Sequence, residues 1–183
     1  MAKIGLNNFR YSVLTEEGGV ASYEGAKSLG KAIDCKVSIE KYEAELYADD
    51  SLAESDYTFK KGTITLTIDE DDDTVFAELL GHEVDSESGE MVRKDTDVAP
   101  YVGVGRILTK LVNGAYKYKV EFLPKVKFSE PAQEEATKGD SIEFKTPSVE
   151  GTVVKLDNGI WSRAKTFTSK EEAISYLDSL MAK

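Results

Sequence analysis

The feature that most constrains this chain is alternation with a period of two. Successive side chains on an extended strand point to opposite faces, so a run that alternates apolar with polar residues marks a strand with one buried face. The cleanest run is Thr63 to Asp69: Ile64, Leu66 and Ile68 take one face, and Thr63, Thr65, Thr67 and Asp69 take the other. A longer run sets Ile33, Cys35, Val37 and Ile39 against Asp34, Lys36, Ser38 and Glu40, then resumes with Tyr42, Ala44, Leu46 and Ala48 as its apolar set. The apolar parity changes between Ile39 and Tyr42. That predicts a bulge near Glu40–Lys41, because one extra residue shifts the face that follows. Between this strand and another at Tyr57–Phe59, the residues Asp49, Asp50, Ser51, Leu52, Ala53, Glu54, Ser55 and Asp56 read as an acidic, turn-rich loop.

The same pattern continues through most of the chain. Phe9–Leu14 reads as a first strand, followed by a Gly18–Gly19 turn. Alternating runs over Val98–Val112 and Ala115–Phe128 flank Asn113–Gly114, the strongest short-range hairpin signal, since both turn residues tolerate positive φ. Pro124 interrupts the second arm and predicts an edge or a bulge there. Glu130–Asp140 is polar and irregular, and shorter strands are expected at Ser141–Lys145, Gly151–Leu156 and Gly159–Phe167, with Asn158–Gly159 suggesting a second hairpin.

Two short helices interrupt the β pattern. Asp71–Asp73 precede Thr74–Leu80, where acidic residues suit the positive end of the helix dipole and Gly81 suits the C-cap. Ser169 and Glu172 match a capping box before Ala173, Ile174, Leu177 and Leu180. The elements imply a mainly β chain, a β-sandwich or barrel with a flanking short helix and a C-terminal helix. Residues 1–157 are expected to form the β domain, with 158–183 as a hairpin and helix extension packed on it.

At 183 residues the chain fits one domain that needs no disulfide or metal to fold, and its single cysteine, Cys35, rules out an internal disulfide. The first residues lack the apolar run of a signal peptide, and no segment approaches the ~20 apolar residues of a membrane span, so synthesis in a cytoplasm is expected. The net charge is −11, the reverse of the basic balance of a specific nucleic-acid binder.

Candidate chemistry is sparse. Cys35 alternates in phase with Ile33, Val37 and Ile39, which reads as a small core residue. His82, the one histidine, follows the capping glycine and reads as exposed or locally bonded. Asp69–Asp73 is dense in carboxylates but lacks the spacing of a calcium loop, and reads as a solvated helix start. Gly103-Val104-Gly105 falls in a strand and reads as close backbone packing rather than a phosphate loop. No catalytic, cofactor or metal site is expected.

A set of segments carries a resemblance: Ile4-Gly5-Leu6-Asn7-Asn8-Phe9-Arg10-Tyr11, Tyr47-Ala48-Asp49-Asp50, Ile64-Thr65-Leu66-Thr67, Leu79-Leu80-Gly81-His82, Pro100-Tyr101-Val102-Gly103-Val104-Gly105 and Ala115-Tyr116-Lys117-Tyr118. In order and spacing, over roughly residues 4–157, the chain resembles the major tail proteins, or tail tube proteins, of siphophages that infect Gram-positive hosts. The resemblance implies β-sandwiches that form hexameric rings, stacked into a hollow tube through which genomic DNA reaches the host. Inner strands of six subunits would close a continuous barrel, and a long loop between two inner strands would reach the adjacent ring.

On that basis Asp34, Lys36, Ser38, Glu40, Thr63, Thr65, Thr67 and Asp69 are expected to face the lumen, and Asp49–Asp56 to be the ring-stacking loop. The implied partners are other copies of the chain, a tape measure protein, a tail terminator and baseplate proteins. DNA would pass without specific binding, nothing would insert in a membrane, and the site of action would be the virion. An accessory phage protein or a carbohydrate-binding β-sandwich stands as the alternative.

Overall fold

The computed structural model describes residues 2–48, 51–69, 72–131, 146 and 148–182. Along the chain run β1 (Ala2–Glu17), β2 (Val20–Tyr23), β3 (Lys27–Ser28), β4 (Ala32–Ala48), β5 (Ser51–Ile68), α1 (Asp73–Leu80), β6 (Glu83–Val84), β7 (Met91–Val92), β8 (Val102–Val112), β9 (Ala115–Phe128), β10 (Ser148–Val153), β11 (Arg163–Phe167) and α2 (Lys170–Leu180). The chain is mainly β. A 9-stranded antiparallel sheet follows the order β2-β1-β8-β9-β10-β5-β4, with β11 joined to β9 and β3 to β1, while β6 and β7 form a small ladder of their own.

Both faces of the sheet's middle are covered, and the alternation explains how. Ile64, Leu66 and Ile68 of β5, Val102 and Val104 of β8, and Val149 and Val153 of β10 meet Phe76, Leu79 and Leu80 of α1 in one core. On the opposite face Ile107, Val120 and Phe122 pack against Ala173, Leu177 and Met181 of the C-terminal helix. Gly103 and Gly105 alternate with the valines toward this second core. A Cβ on Gly105 would stand 2.2 Å from Cδ1 of Leu177, and one on Gly103 would stand 2.7 Å from the Tyr23 ring. The glycines therefore permit close packing, as their place in a strand suggests.

The local signals form as their chemistry predicts. Asn113 (φ 51) and Gly114 (φ 78) turn the β8–β9 hairpin, and Gly18 and Gly19 (φ 58 and 79) turn β1 into β2. Asp72 caps α1 by accepting from the backbone of Thr74 and Val75, and Gly81 closes it in the left-handed region. Ser169 caps α2 by accepting from the backbone N–H of Glu172. The register of β8 on β9 slips between Val102 and Val104, opposite Pro124, so the proline sits at a bulge.

Among the described residues of a single chain the sheet is open, with β4 paired to β5 alone. Two expectations change. The segment from Ser51 to Asp56 is strand rather than loop: Ala48 is already paired with Ser51, leaving only residues 49 and 50 between the paired ends. Cross-strand pairing has overridden the low strand propensity of its acidic and serine residues.

Asn158–Gly159 turns the chain, but no hairpin follows. β10 and β11 lie in line along the same edge of β9, so residues 154–162 form an excursion within one line of strand. Of the two readings of His82, the locally bonded one holds: its side chain is 6% accessible and bonds Asp97 and Glu130. The strand expected at Ser141–Lys145 and most of Glu130–Asp140 lie outside the described residues.

Candidate assembly surfaces

Seven of the predicted lumen residues share one side of the β4–β5 ladder, the threonines half-buried and the others exposed, and Asp69 lies just past the end of β5. Antiparallel register places Asp34 opposite Thr67, Lys36 opposite Thr65, Ser38 opposite Thr63 and Glu40 opposite Lys61. Directly opposed residues project to the same side, and the partners on the other side, Ile64 and Leu66, are wholly buried. β10 extends these rows with Ser148 opposite Thr67, Glu150 opposite Thr65 and Thr152 opposite Thr63, and β9 continues the last row with Lys127. The sequence reading missed the β10 contribution, although Ser148, Glu150 and Thr152 alternate with Val149, Gly151 and Val153.

The face is mixed in charge. Glu40 lies 3.4 Å from the Lys61 ammonium and 3.8 Å from that of Lys60, and Asp69 lies 3.5 Å from Lys31. Lys36 and Lys127 interrupt the carboxylates further. These exposed pairs add little stability. Their effect is to leave a hydrated surface that favours neither sign strongly.

The second surface is an arm. β10 pairs with β5 only from Gly62 to Thr67. Beyond Gly62, β4 and β5 pair with each other alone, to the level of Ala48 and Ser51. Residues 41–48 at about 3.4 Å each give an arm on the order of 27 Å long. A two-stranded ribbon is marginal in water without something to pack on.

A register shift at Glu40/Lys41 marks its root, as the change of parity predicts. The extra residue is Lys60 on β5 rather than one on β4, so Tyr42 keeps to the face that carries Glu40. The Lys60 ammonium lies near both, 3.8 Å from Glu40 and 5.7 Å from the Tyr42 ring centroid. Gly62 lets the root close. A Cβ there would come within 2.9 Å of Ile39 and 3.2 Å of Val153. On the other side of the root, the Phe59 ring stacks on Trp161 at 4.7 Å with planes 5° apart. Nothing in the spacing of residues 59 and 161 announces that contact.

The remaining candidates are structural ties. His82 Nδ1 bonds Asp97 Oδ2 at 2.7 Å, and its Nε2 bonds Glu130. The hydrogen bond to Asp97, followed by that to Glu130, raises the imidazole pKa above its usual value and favours the imidazolium form between α1, the loop before β8 and the end of β9. Cys35 is half-buried and accepts a hydrogen bond from Arg106, whose guanidinium also grips Glu121 through Nε and Nη2 at 3.1 and 2.7 Å. Burial pushes the thiol pKa up, which keeps it protonated and unreactive. Among the described residues no group of three or more His, Cys, Asp or Glu is placed to hold a metal ion. No helix of the described residues is long and apolar enough to cross a membrane. No family model matches the chain, and no curated protein matches it.

Proposed function

We propose that this chain is a structural subunit of a siphophage tail tube rather than an enzyme. Six copies form a ring, the rings stack, and genomic DNA passes through the channel. The observation that carries this reading is the polar face shared by β4, β5 and β10, backed by a continuous apolar core and bounded by the free edge of β4. The edge of β4 along Ala32–Ala48, which has no strand partner but β5 among the described residues, invites pairing with another chain, and closure of a ring of such edges removes the liability. A polar inner face is what a water-filled barrel requires.

In this reading Asp34, Lys36, Ser38, Glu40, Thr63, Thr65, Thr67 and Asp69 line the lumen with Glu150 and Thr152. The paired charges make the lining hydrated and mixed, with its carboxylates keeping phosphates from lodging on the lysines. The arm is the part of the chain that reaches a neighbouring copy. Tape measure, terminator and baseplate proteins would meet the same rings in the virion.

Negative-stain electron microscopy of the concentrated protein, with mass photometry alongside, tests the proposal. Rings or hollow tubes with an open channel support it. Compact closed oligomers without a channel overturn it and move the reading to an accessory or carbohydrate-binding module.

A further inference from the structure

Two features of opposite charge lie at one end of the sheet. The first is a row of lysines across three adjacent strands: Lys3 of β1 stands opposite Lys110 of β8, which stands opposite Lys117 of β9. Like charges directly opposite one another on a sheet are destabilising. The Lys110 and Lys117 ammoniums form no ion pair with a described residue, whereas the next lysine on that face, Lys119, bonds Glu121 at 2.5 Å. In a chain with net charge −11, two opposed lysines without an ion pair among the described residues are an exception.

The second feature is the arm. From Tyr42 to Phe59 the sequence carries Glu43, Glu45, Asp49, Asp50, Glu54 and Asp56 and no lysine or arginine. Among the described residues β4 and β5 pair here only with each other.

Topology places the two at the same end of the sheet. The antiparallel order means that β4, β10 and β8 run one way while β5, β9 and β1 run the other. The tip after Ala48, the turn after Val112 and the start of β1 therefore lie together at one end, with Ala2 opposite Leu111. Copies related by rotation about a ring axis stand side by side in the same orientation, so the arm end of one adjoins the lysine end of the next.

We infer that the Lys3–Lys110–Lys117 row is the seat for the acidic arm of a second copy of this chain, standing beside the first. The inference rests on the ring-forming reading and changes the role of the arm, which becomes a clasp between neighbours in one ring rather than a bridge to the next. Nucleic acid is the weaker occupant, because a chain of net charge −11 repels phosphates.

Zero-length carbodiimide cross-linking of an equal mixture of unlabelled and 15N-labelled full-length protein tests the contact. Peptides that join Lys110 or Lys117 of one isotope to Glu43, Glu45, Glu54 or Asp56 of the other are expected. Lys110→Glu with Lys117→Glu, or Glu43→Lys with Glu45→Lys, should reduce them at least about tenfold. Mixing the two reversed variants should restore oligomers that contain both.

The lysine reversal exchanges one like-charge pair, Lys110 opposite Lys117, for another and should leave the thermal midpoint close to wild type. If circular dichroism shows it unfolded, Lys110→Gln with Lys117→Gln takes its place. Absence of cross-links between copies, oligomers from the lysine variant equal to wild type, or loss of duplex-DNA binding on lysine reversal without loss of oligomers would each overturn the inference. Rings or tubes without the cross-link overturn it while sparing the tube reading. The cross-link within closed, channel-free oligomers keeps it and overturns the tube reading.

Discussion

One strand, β5, contains two contrasting regions. From Gly62 to Ile68 it lies between β4 and β10, with Ile64 and Leu66 wholly buried. From Ser51 to Lys61 it has β4 alone, and Tyr57 is 49% exposed, with Tyr42 across the ribbon at 60%. Both regions alternate and both hold their hydrogen bonds. The difference is burial: a helix-covered core encloses Ile64 and Leu66 in one, while Tyr42 and Tyr57 remain exposed in the other. Alternation specifies a strand, and only the neighbours of that strand decide whether its apolar face serves folding or assembly.

The largest effect that would sharpen this contrast is a cavity in the body. Leu66→Ala should cost about 2–5 kcal/mol in urea unfolding, because the site is enclosed by Ile64, Val149 and the α1 side chains and cannot collapse fully. A cost below about 1 kcal/mol would mean that the body is packed as loosely as the arm.

A pH test acts on the body alone. His82 bridges Asp97 and Glu130 at the end of the sheet away from the arm, and its pKa is raised by those bonds. A group whose folded pKa is raised contributes stability that is complete below its unfolded value of about 6.5 and is lost as pH rises through the folded value. The stability difference between wild type and His82→Gln should therefore be larger at about pH 6 than at about pH 9. Amide exchange of the arm, corrected for its intrinsic pH dependence, should not follow it. A difference that grows toward alkaline pH would show that the neutral ring is the bonded form.

The body was far more legible in the sequence than the arm. Turn chemistry fixed β8, β9 and α1, since Asn113–Gly114, Asp72 and Gly81 each leave the backbone one cheap conformation. The register shift at Glu40/Lys41 was visible as a change of parity, but parity cannot say which strand holds the extra residue, and it is Lys60. Ser51–Asp56 reads as loop because serine and acidic residues favour turns, and only pairing with β4 makes it strand. Asn158–Gly159 turns the chain without pairing the flanking strands, because the edge of β9 accepts both β10 and β11. Seven of the eight residues expected at a lumen share one side of the β4–β5 ladder, which follows from alternation and register alone. The Phe59–Trp161 stack is a contact across ~100 residues of sequence, and no periodicity encodes it.

That stack joins the two regions and gives a smaller effect. Trp161→Ala should cost about 0.5–1.5 kcal/mol beyond the lost burial, because the ring pair at the arm root is broken while the body core is untouched. As the only tryptophan, Trp161 also reports on the root. Replacing Phe59 with leucine should shift its emission to the red, and arm amides should exchange faster in both variants. Unchanged exchange would mean that the arm holds its angle through β4 and Gly62 instead.

The smallest effect on folding belongs to the arm itself. Tyr42 is 60% exposed, and its one recorded partner is the Lys60 ammonium 5.7 Å away, a contact worth little in water. Tyr42→Ser should leave the urea midpoint within about 0.5 kcal/mol of wild type, since no core atom loses a neighbour. Oligomer formation in mass photometry should nevertheless fall, because an exposed tyrosine supplies large apolar area at low entropic cost when it meets another chain. If Tyr42→Ser unfolds as readily as Leu66→Ala, the arm belongs to the folding core and the contrast within β5 fails. If it folds and assembles as wild type, this face of the arm meets no neighbour, and the interface must lie on the opposite side, with Lys41 and Tyr57.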